Sequence, residues 1–280
     1  MDHAAYTLAR PDRSPLPIVV DSPHSGTDYP ADFGAALQGP ALRGGEDTWV
    51  HELYASAPQH GATLLAARFP RAYIDPNRSL QDVDAELLDG PWPGPVQPSR
   101  KTELGIGLVW RLMDSQPIYA RRLTVAEVQQ RIERCWRPYH AALEATLSEA
   151  AAAGARWHLN VHSMPDESYR RLGLPEKPLA DVVLGNLDGS TCDEATMALV
   201  EQAFRDAGYS VARNDPFKGV EIIRASGRPG RGWHALQIEL KRSLYMDARR
   251  EKNAGFARLQ QACSDMLAAL AVHARRLTAV

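Results

Sequence analysis

Short apolar segments alternate with amphipathic segments along this chain. Residues 17–21 are apolar and β-branched, the pattern of a buried strand, and similar segments follow at residues 62–67, 157–162, 181–184, 219–223 and 235–240. Helical periodicity is found at about residues 47–59, 124–153, 193–208 and 254–274. This alternation predicts an α/β fold with a mostly parallel or mixed central sheet flanked by helices, whose functional groups gather at the carboxyl ends of the strands.

The segment 124–153 carries the clearest helix signals. Thr124 and Glu127 have the spacing of a capping box, and Gly154 is a typical stop signal. Residues 79–100, in contrast, are rich in Pro, Gly and Asp, so we expect an excursion over residues 79–115 that shapes a pocket. A length of 280 residues is compatible with one domain over residues 1–280.

Charge and cysteine content narrow the classes of function. The net charge is −2 and the arginines are scattered, which argues against a nucleic-acid partner and favours a small-molecule substrate. Three widely separated cysteines argue against a disulfide framework or a thiolate zinc site. The chain shows neither a signal peptide nor an apolar stretch of about 20 residues, so we expect a cytoplasmic protein without a membrane segment. The sequence leaves the oligomeric state open.

Three side chains that can bind a metal or transfer a proton lie on or just after predicted strands: His24, His162 and Glu239. A glutamate in a buried strand costs several kcal/mol unless it is paired, bound to a metal or catalytic. A functional site is one explanation for Glu239. An ion pair with Arg242 at a sheet edge is the alternative.

The two histidines suggest a metal site when they are considered together. Each one alone could be a turn histidine, but catalytic zinc binds two or three histidines plus a carboxylate and leaves one position open. Asp47 could supply the carboxylate, although Asp is also a good N-cap for the helix predicted to begin there. Glu46 is a competing ligand.

Four cationic or amide side chains are candidates for substrate binding. Asn77 and Arg78 combine an amide with a guanidinium, which suits bidentate capture of a carboxylate, and an ordinary surface salt bridge is the alternative for Arg78. Lys218 and Arg224 could add positive charge to a pocket, or could simply be solvated. Ser25 and Ser163 lack a G-x-S-x-G nucleophile elbow, which argues against a serine hydrolase.

Six ordered motifs lie between about residue 15 and residue 250. They are Ser-Pro-His24-Ser-Gly, Asp47-Thr-Trp-Val-His-Glu-Leu-Tyr, Tyr-Ile-Asp-Pro-Asn77-Arg78, Val-His162-Ser-Met-Pro, Asn214-Asp-Pro-Phe-Lys-Gly and Leu-Gln-Ile-Glu239-Leu. Together they resemble the motifs of the N-formylglutamate amidohydrolase family. The resemblance implies a fold similar to that of the zinc exopeptidases and aspartoacylases.

The resemblance also implies a role for each matching residue. His24, Asp47 and His162 would bind one Zn²⁺ per chain, with other divalent metals compatible. Glu239 would act as general base and then acid. Asn77 and Arg78 would hold the substrate carboxylate, and Arg78 or another cation would stabilise the oxyanion.

Two positions depart from related proteins. Thr27 stands where the related exopeptidases carry a glutamate ligand, so the carboxylate must come from elsewhere. Asn160 stands where members often carry Asp, and we expect this change to weaken the orientation of the second histidine.

The activity implied is zinc-dependent hydrolysis of the N-acyl amide of an acidic amino acid, such as N-formyl-L-glutamate, to formate and L-glutamate, a reaction of histidine degradation. Two alternatives stay open. One is a zinc hydrolase of another N-acyl amino acid or a small peptide, and the other is a non-catalytic ligand-binding relative.

Overall fold

The structure is a computed structural model that describes residues 4–12 and 14–278. The start of the segment assessed for a signal peptide, residues 1–3, lies outside the described residues. The strands are β1 (Tyr6–Ala9), β2 (Ile18–Ser22), β3 (Thr63–Ala67), β4 (Leu112–Met113), β5 (Gln116–Pro117), β6 (Arg156–Met164), β7 (Val182–Gly185), β8 (Val211–Arg213) and β9 (Trp233–Lys241). The α-helices are α1 (Val50–Leu53), α2 (Arg100–Glu103), α3 (Val125–Arg131), α4 (Arg137–Ala151), α5 (Ser168–Arg171), α6 (Glu194–Asp206), α7 (Glu221–Ser226) and α8 (Phe256–Thr278). Short 3₁₀ turns lie at Gly39–Gly45, Ala57–His60, Ala85–Leu87, Pro229–Arg231 and Arg242–Leu244, and a π-turn at Ile132–Trp136 joins α3 to α4.

Seven strands form one sheet in the order β1-β3-β2-β6-β9-β7-β8. β2 and β9 both run parallel to β6, β8 runs parallel to β7, and β7 runs antiparallel to β9. β4 and β5 form a separate antiparallel pair. The predicted mixed sheet flanked by helices is therefore confirmed.

Two predicted elements are wrong. Residues 219–223 were expected as a strand, but α7 lies there, because a short apolar pair such as Ile222 and Ile223 can also be the buried side of one helical turn. The helix expected over residues 47–59 is reduced to α1 and the 3₁₀ turn Ala57–His60. Trp49 has a φ of 67°, which cannot continue a helix, and the next turn begins at Ala57 with Pro58 as its second residue.

The strong helix signals are confirmed. The side chain of Thr124 accepts from the backbone of Glu127, and the Glu127 side chain accepts in return, so the capping box is formed. The helical segment then continues from α3 through the π-turn to Ala151. The structure also contains β1, β8 and the β4–β5 pair, which the apolar pattern did not predict because they are short.

Side chains of the central strands divide by alternation into an apolar face and a polar face. Ile18 and Val20 of β2 pair with Trp157 and Leu159 of β6, and all four belong to the main apolar core. The same core includes Leu236, Ile238 and Leu240 of β9. Because side chains alternate along a strand, the intervening polar residues lie on the opposite face. The helices α6 and α8 pack against each other and contribute to the same core.

Backbone contacts divide the chain into two compact units. One comprises the described residues of the ranges 1–7, 23–48 and 66–142, and includes the whole of the expected excursion over residues 79–115. The other comprises the described residues of the ranges 8–22, 49–65 and 143–280, and is built on the central strands with α6, α7 and α8. The single domain expected from the chain length stays a prediction. Among the described residues, no helix combines the length and apolar character needed to cross a bilayer.

Candidate active site

The polar face of the central strands is buried. Asp21 of β2 pairs with Asn160 of β6, and Asn160 pairs in turn with Gln237 of β9. One step further along the same face, His162 pairs with Glu239. These side chains are at most 9% exposed, as is that of His158. Closely spaced polar side chains that are buried need hydrogen-bond partners or a ligand, so this face of the sheet is the candidate site.

His24 and Asp47 are held beside each other. The backbone N–H of Asp47 donates to the carbonyl oxygen of His24 at 3.0 Å, and the Asp47 carboxylate lies 3.4 Å from His24 Nδ1. Asp47 is 0% exposed. The N-cap alternative for Asp47 is wrong, because α1 begins after Trp49 and has no side-chain cap.

Glu46, the competing ligand, faces a different set of partners. Its carboxylate accepts from Tyr29 Oη at 2.6 Å, from Arg43 Nη2 at 2.9 Å and from Thr48 Oγ1 at 3.0 Å. The ion pair with Arg43 and the two hydroxyl bonds hold the Glu46 carboxylate in place. The geometry therefore favours Asp47 as the carboxylate beside His24.

Asp75 organises the loop that carries the predicted substrate-binding residues. Its Oδ1 accepts from His24 Nε2 at 2.8 Å and from the backbone of Asn77 at 2.8 Å. Its Oδ2 accepts from Arg71 Nη2 at 2.9 Å and from Trp110 Nε1 at 3.2 Å. Burial alone would raise the pKa of Asp75, but the charges of Arg71, His24 and Arg78 and the bond from His24 hold it well below its usual value. An ionised Asp75 fixes Nε2 of His24 as the protonated nitrogen and directs Nδ1 towards Asp47.

His162 is oriented by Asn160. His162 Nε2 lies 2.7 Å from Asn160 Oδ1, and Asn160 Nδ2 donates to Asp21 Oδ1 at 3.0 Å. Asp21 also accepts from His158 Nε2 at 2.7 Å. Burial acts to raise the pKa of Asp21, but the charge of His158 and the bonds from His158 and Asn160 lower it below its usual value.

The structure brings the three predicted metal ligands together. His24, Asp47 and His162 each offer one ligand atom, and these atoms lie within 4.8 Å of one another. Zinc bonds of about 2.0–2.2 Å separate the ligand atoms of a tetrahedral site by roughly 3.4 Å. The 3.4 Å between His24 Nδ1 and the Asp47 carboxylate matches that separation. In both histidines Nε2 is engaged by an oxygen atom, so Nδ1 carries the lone pair that a metal needs. The triad can hold a metal ion.

Glu239 lies in the interior of the sheet, because β9 has a neighbour on each side. The alternative, an ion pair with Arg242 at a sheet edge, is therefore wrong in placing Glu239 at an edge. Gln237 Nε2 donates to Glu239 Oε1 at 3.0 Å, and Arg242 Nε donates to Ser163 Oγ at 3.1 Å. The Glu239 carboxylate thus faces the same side of the sheet as His162.

Asn77 and Arg78 are buried, so the surface alternative for Arg78 is wrong. Arg78 Nε donates to the carbonyl oxygen of Ile106 at 3.1 Å, and Nη1 donates to that of Asn77 at 2.9 Å. Burial lowers the pKa of Arg78, and the neighbouring Arg71 adds to this effect, whereas Asp75 opposes it. These contacts set the orientation of the guanidinium plane in a polar region.

Arg71 was not predicted to belong to the site. Its guanidinium is bonded to Asp75 and stacks over the Trp110 ring at 4.8 Å. It precedes Asp75 by only four residues and lies just before the motif Tyr-Ile-Asp-Pro-Asn77-Arg78, so its closeness to that motif was the available signal. Arg71 is thus a second, partly buried cation near this loop, and both it and Arg78 lie within ion-pair distance of Asp75.

Lys218 and Arg224 lie in exposed positions. Lys218 pairs with Asp188 at 2.8 Å, and its side chain is 57% exposed. Arg224 is exposed on α7. Their part in substrate binding stays a prediction.

A second group of metal-competent atoms, from Cys192, Asp193 and His234, has a structural explanation. Asp193 is the N-cap of α6 and accepts from the backbone of Thr196 at 3.0 Å. Burial raises the pKa of the Cys192 thiol to about 12, which disfavours the thiolate that a metal requires. All three cysteines are free and buried.

Comparison with known proteins agrees with this geometry. The sequence model of the N-formylglutamate amidohydrolase family matches residues 16–246. The chain belongs to that family. N-formylglutamate amidohydrolases are hydrolases, so membership makes this protein a hydrolase.

Relatives in the N-formylglutamate amidohydrolase family match most of the chain. N-formylglutamate deformylase of Pseudomonas aeruginosa is 30% identical over 240 residues, which are 84% of each protein. N-formylglutamate deformylase of Pseudomonas putida is 29% identical over 239 residues, which are 83% of this chain and 82% of the relative. A crystal structure of N-formylglutamate amidohydrolase from Ralstonia eutropha JMP134 superposes with a TM-score of 0.96 at 54% identity, covering 98% of this chain and 99% of that one. A protein from Agrobacterium tumefaciens shares the fold, with a TM-score of 0.65 at 17% identity over 99% of this chain and 94% of its own.

Proposed function

We propose that this protein is a zinc-dependent amidohydrolase that converts N-formyl-L-glutamate and water to formate and L-glutamate. The observation that carries the proposal is the arrangement of His24, Asp47 and His162 within 4.8 Å, with Glu239 beside His162 in the sheet. The names of the two Pseudomonas relatives and of the Ralstonia eutropha enzyme support the substrate.

The three ligand residues fit zinc by type as well as by separation. Two imidazole nitrogens and one carboxylate form a common catalytic zinc set that leaves a coordination position for substrate or water. When bound, the metal would act as a Lewis acid that polarises the scissile carbonyl and lowers the pKa of water. Asp75 bonds to Nε2 of His24 and Asn160 bonds to Nε2 of His162, so Nδ1 is the metal-binding nitrogen proposed for each ring.

Glu239 is placed to move protons. It takes a proton from the attacking water as the water oxygen bonds to the formyl carbon. It then delivers that proton to the amide nitrogen as the C–N bond breaks, so that the water oxygen leaves in formate. Gln237 holds Oε1 in place during both transfers.

Asn77 and Arg78 are proposed to bind a carboxylate of the substrate. Arg78 is oriented by two backbone carbonyls, which leaves N–H groups of its planar fork to bind an anion. Arg71, which faces the same Asp75, is a second cation that can stabilise negative charge on the reacting oxygen.

A substrate panel tests the assignment. We expect the highest kcat/KM with N-formyl-L-glutamate, compared with N-acetyl-L-glutamate, N-formyl-L-alanine and a glutamyl dipeptide. A preference for the acetyl compound or the dipeptide would retain the amide chemistry and contradict the formyl specificity. Failure of all four substrates with a zinc-loaded protein would contradict the catalytic proposal.

A further inference from the structure

A chain of buried hydrogen bonds runs along the polar face of the sheet and ends at His162. Ser226 of α7 bonds to His158, His158 to Asp21, Asp21 to Asn160, and Asn160 to His162, with donor–acceptor distances between 2.7 and 3.1 Å. All five side chains are buried. A continuous polar network at this depth is costly unless every member is satisfied, so it requires an explanation.

The direction of each bond follows from chemistry. An ionised Asp21 can only accept hydrogen bonds, so the Asn160 amide must turn its NH₂ group towards Asp21. The Asn160 oxygen then faces His162 Nε2, which must carry a proton in order to donate. His162 is thereby fixed in one tautomer, with the lone pair on Nδ1.

The far end of the chain keeps Asp21 ionised. The Ser226 hydroxyl donates to the carbonyl oxygen of Ile222 at 2.9 Å, so its oxygen is the acceptor for His158 Nδ1 at 2.8 Å. His158 is thus held between Ser226 and Asp21, with Nδ1 towards the hydroxyl and Nε2 towards the carboxylate. Both His158 and Asp21 are buried.

We propose that Asp21 is a positioning residue which, acting through Asn160, sets the tautomer and orientation of His162 for metal binding. This inference rests on the proposed function in that it takes His162 as a metal ligand. Asp21 pairs with Asn160 across β2 and β6, so the carboxylate that orients the Asn160 amide comes from the neighbouring strand. The expected weakening of His162 orientation is therefore offset.

The affinity of the metal-free protein for Zn²⁺, measured by competition with a chromophoric chelator, tests the inference. Removal of a partner that orients a ligand typically weakens metal binding about 10- to 100-fold. We expect a loss of that size for Asp21→Asn and for Asn160→Leu. Because Asp21 acts through Asn160, the double variant should bind no more weakly than Asn160→Leu alone. Multiplicative losses, or an Asp21→Asn affinity equal to wild type, would overturn the inference.

A matched control separates positioning from stability. Asp84→Asn also removes a buried carboxylate, one that pairs with Arg111 at 2.7 Å, and should lower thermal stability without changing zinc affinity. If it weakened zinc binding as much as Asp21→Asn, the effect would be structural and the inference would fail.

A measurement on the unmutated protein covers the case in which Asp21→Asn does not fold. NMR correlation of the ring nitrogens in the metal-free protein should show His162 as the Nε2–H tautomer, and the Nδ1–H tautomer would contradict the inference. The proposed function fails separately, if the wild-type protein binds no zinc. Zinc binding that survives in Asp21→Asn with wild-type affinity would instead refute the inference alone.

Discussion

His162 and Glu239 are partners across the parallel strands β6 and β9, and their side chains lie on the same face of the sheet. Neighbouring strands are roughly 4.8 Å apart, so this pairing alone places a proposed metal ligand beside a proposed general base. The two roles need this proximity, because the base must reach a water molecule that the metal polarises. The register of one strand pair therefore accounts for the central geometry of the site.

Substitution of Glu239 by Gln should separate chemistry from metal binding. The amide has nearly the same shape as the carboxylate but cannot accept the proton from water. We expect kcat to fall by about 10²- to 10⁴-fold, with the zinc content unchanged. Steady-state kinetics and elemental analysis of the same sample measure both quantities. Glu221→Gln, on the exposed side of α7, is the control and should keep wild-type kinetics. Near wild-type activity of Glu239→Gln would show that the base is another residue.

Substitution of Arg78 by Lys should weaken substrate binding. Lysine keeps the charge but loses the planar fork that the carbonyls of Ile106 and Asn77 orient. A hydrogen bond to a charged group contributes about 1.5–3 kcal/mol, so we expect kcat/KM to fall roughly 10- to 100-fold, mainly through KM. The side chain of Arg100 is 80% exposed, so Arg100→Lys serves as the control. An unchanged KM for Arg78→Lys would exclude Arg78 from the carboxylate clamp.

Gly26 should not tolerate a side chain. A Cβ atom there would lie 2.2 Å from the carbonyl oxygen of Phe69, which is backbone and cannot rotate away. Gly26 follows His24 closely and packs on the segment that leads to Arg71 and Asp75, so Gly26→Ala should disturb the ligand loop. Overpacking typically costs about 1–3 kcal/mol, and we expect at least that loss in the free energy of unfolding. Gly90→Ala, which meets no atom within 4 Å, should be neutral in the same denaturation experiment.

The capping box of α3 should make stability depend on pH. The bond from Arg121 lowers the pKa of Glu127 to about 2, helped by the bonds from Thr124. A lowered pKa in the folded protein means that the stabilisation is complete above the ordinary value of 4.5 and is lost as the pH falls towards 2. Glu127→Gln should therefore lower stability at neutral pH, by under about 1 kcal/mol because the ion pair is exposed. The difference from wild type should vanish near pH 2, and a difference independent of pH would rule out the carboxylate charge as its cause.

Much of the fold was predictable because its central strands are strongly apolar on one face. In β6, the alternation of Trp157, Leu159 and Val161 with polar residues identified a strand, and the structure shows that the polar residues share one face. The apolar residues around Ile222 and Ile223 could not be assigned to a strand or a helix in this way, since a few apolar residues fit either a strand or one side of a helix. The helix over residues 47–59 failed because Trp49 adopts a positive φ that no local pattern indicates.

The candidate site was predictable where its residues belong to recognisable motifs, as for His24, Asp47 and His162. Its supporting residues were harder to find, because their roles depend on partners distant in sequence. Asp21 acts on Asn160, which is 139 residues away, through strand pairing that the sequence does not state. Asp75 lies within a quoted motif and Arg71 lies just before it, but the bonds of Asp75 to Arg71 and to His24 require the folded loop.

The central claim is that His24, Asp47 and His162 bind a metal on which hydrolysis depends. The most direct measurement is the turnover of N-formyl-L-glutamate by purified protein before chelation, after removal of all metal, and after zinc is restored, with elemental analysis at each step. The account predicts about one zinc ion per chain in the active protein, loss of turnover with the metal, and recovery with zinc. Full turnover by protein shown to be free of metal would contradict it.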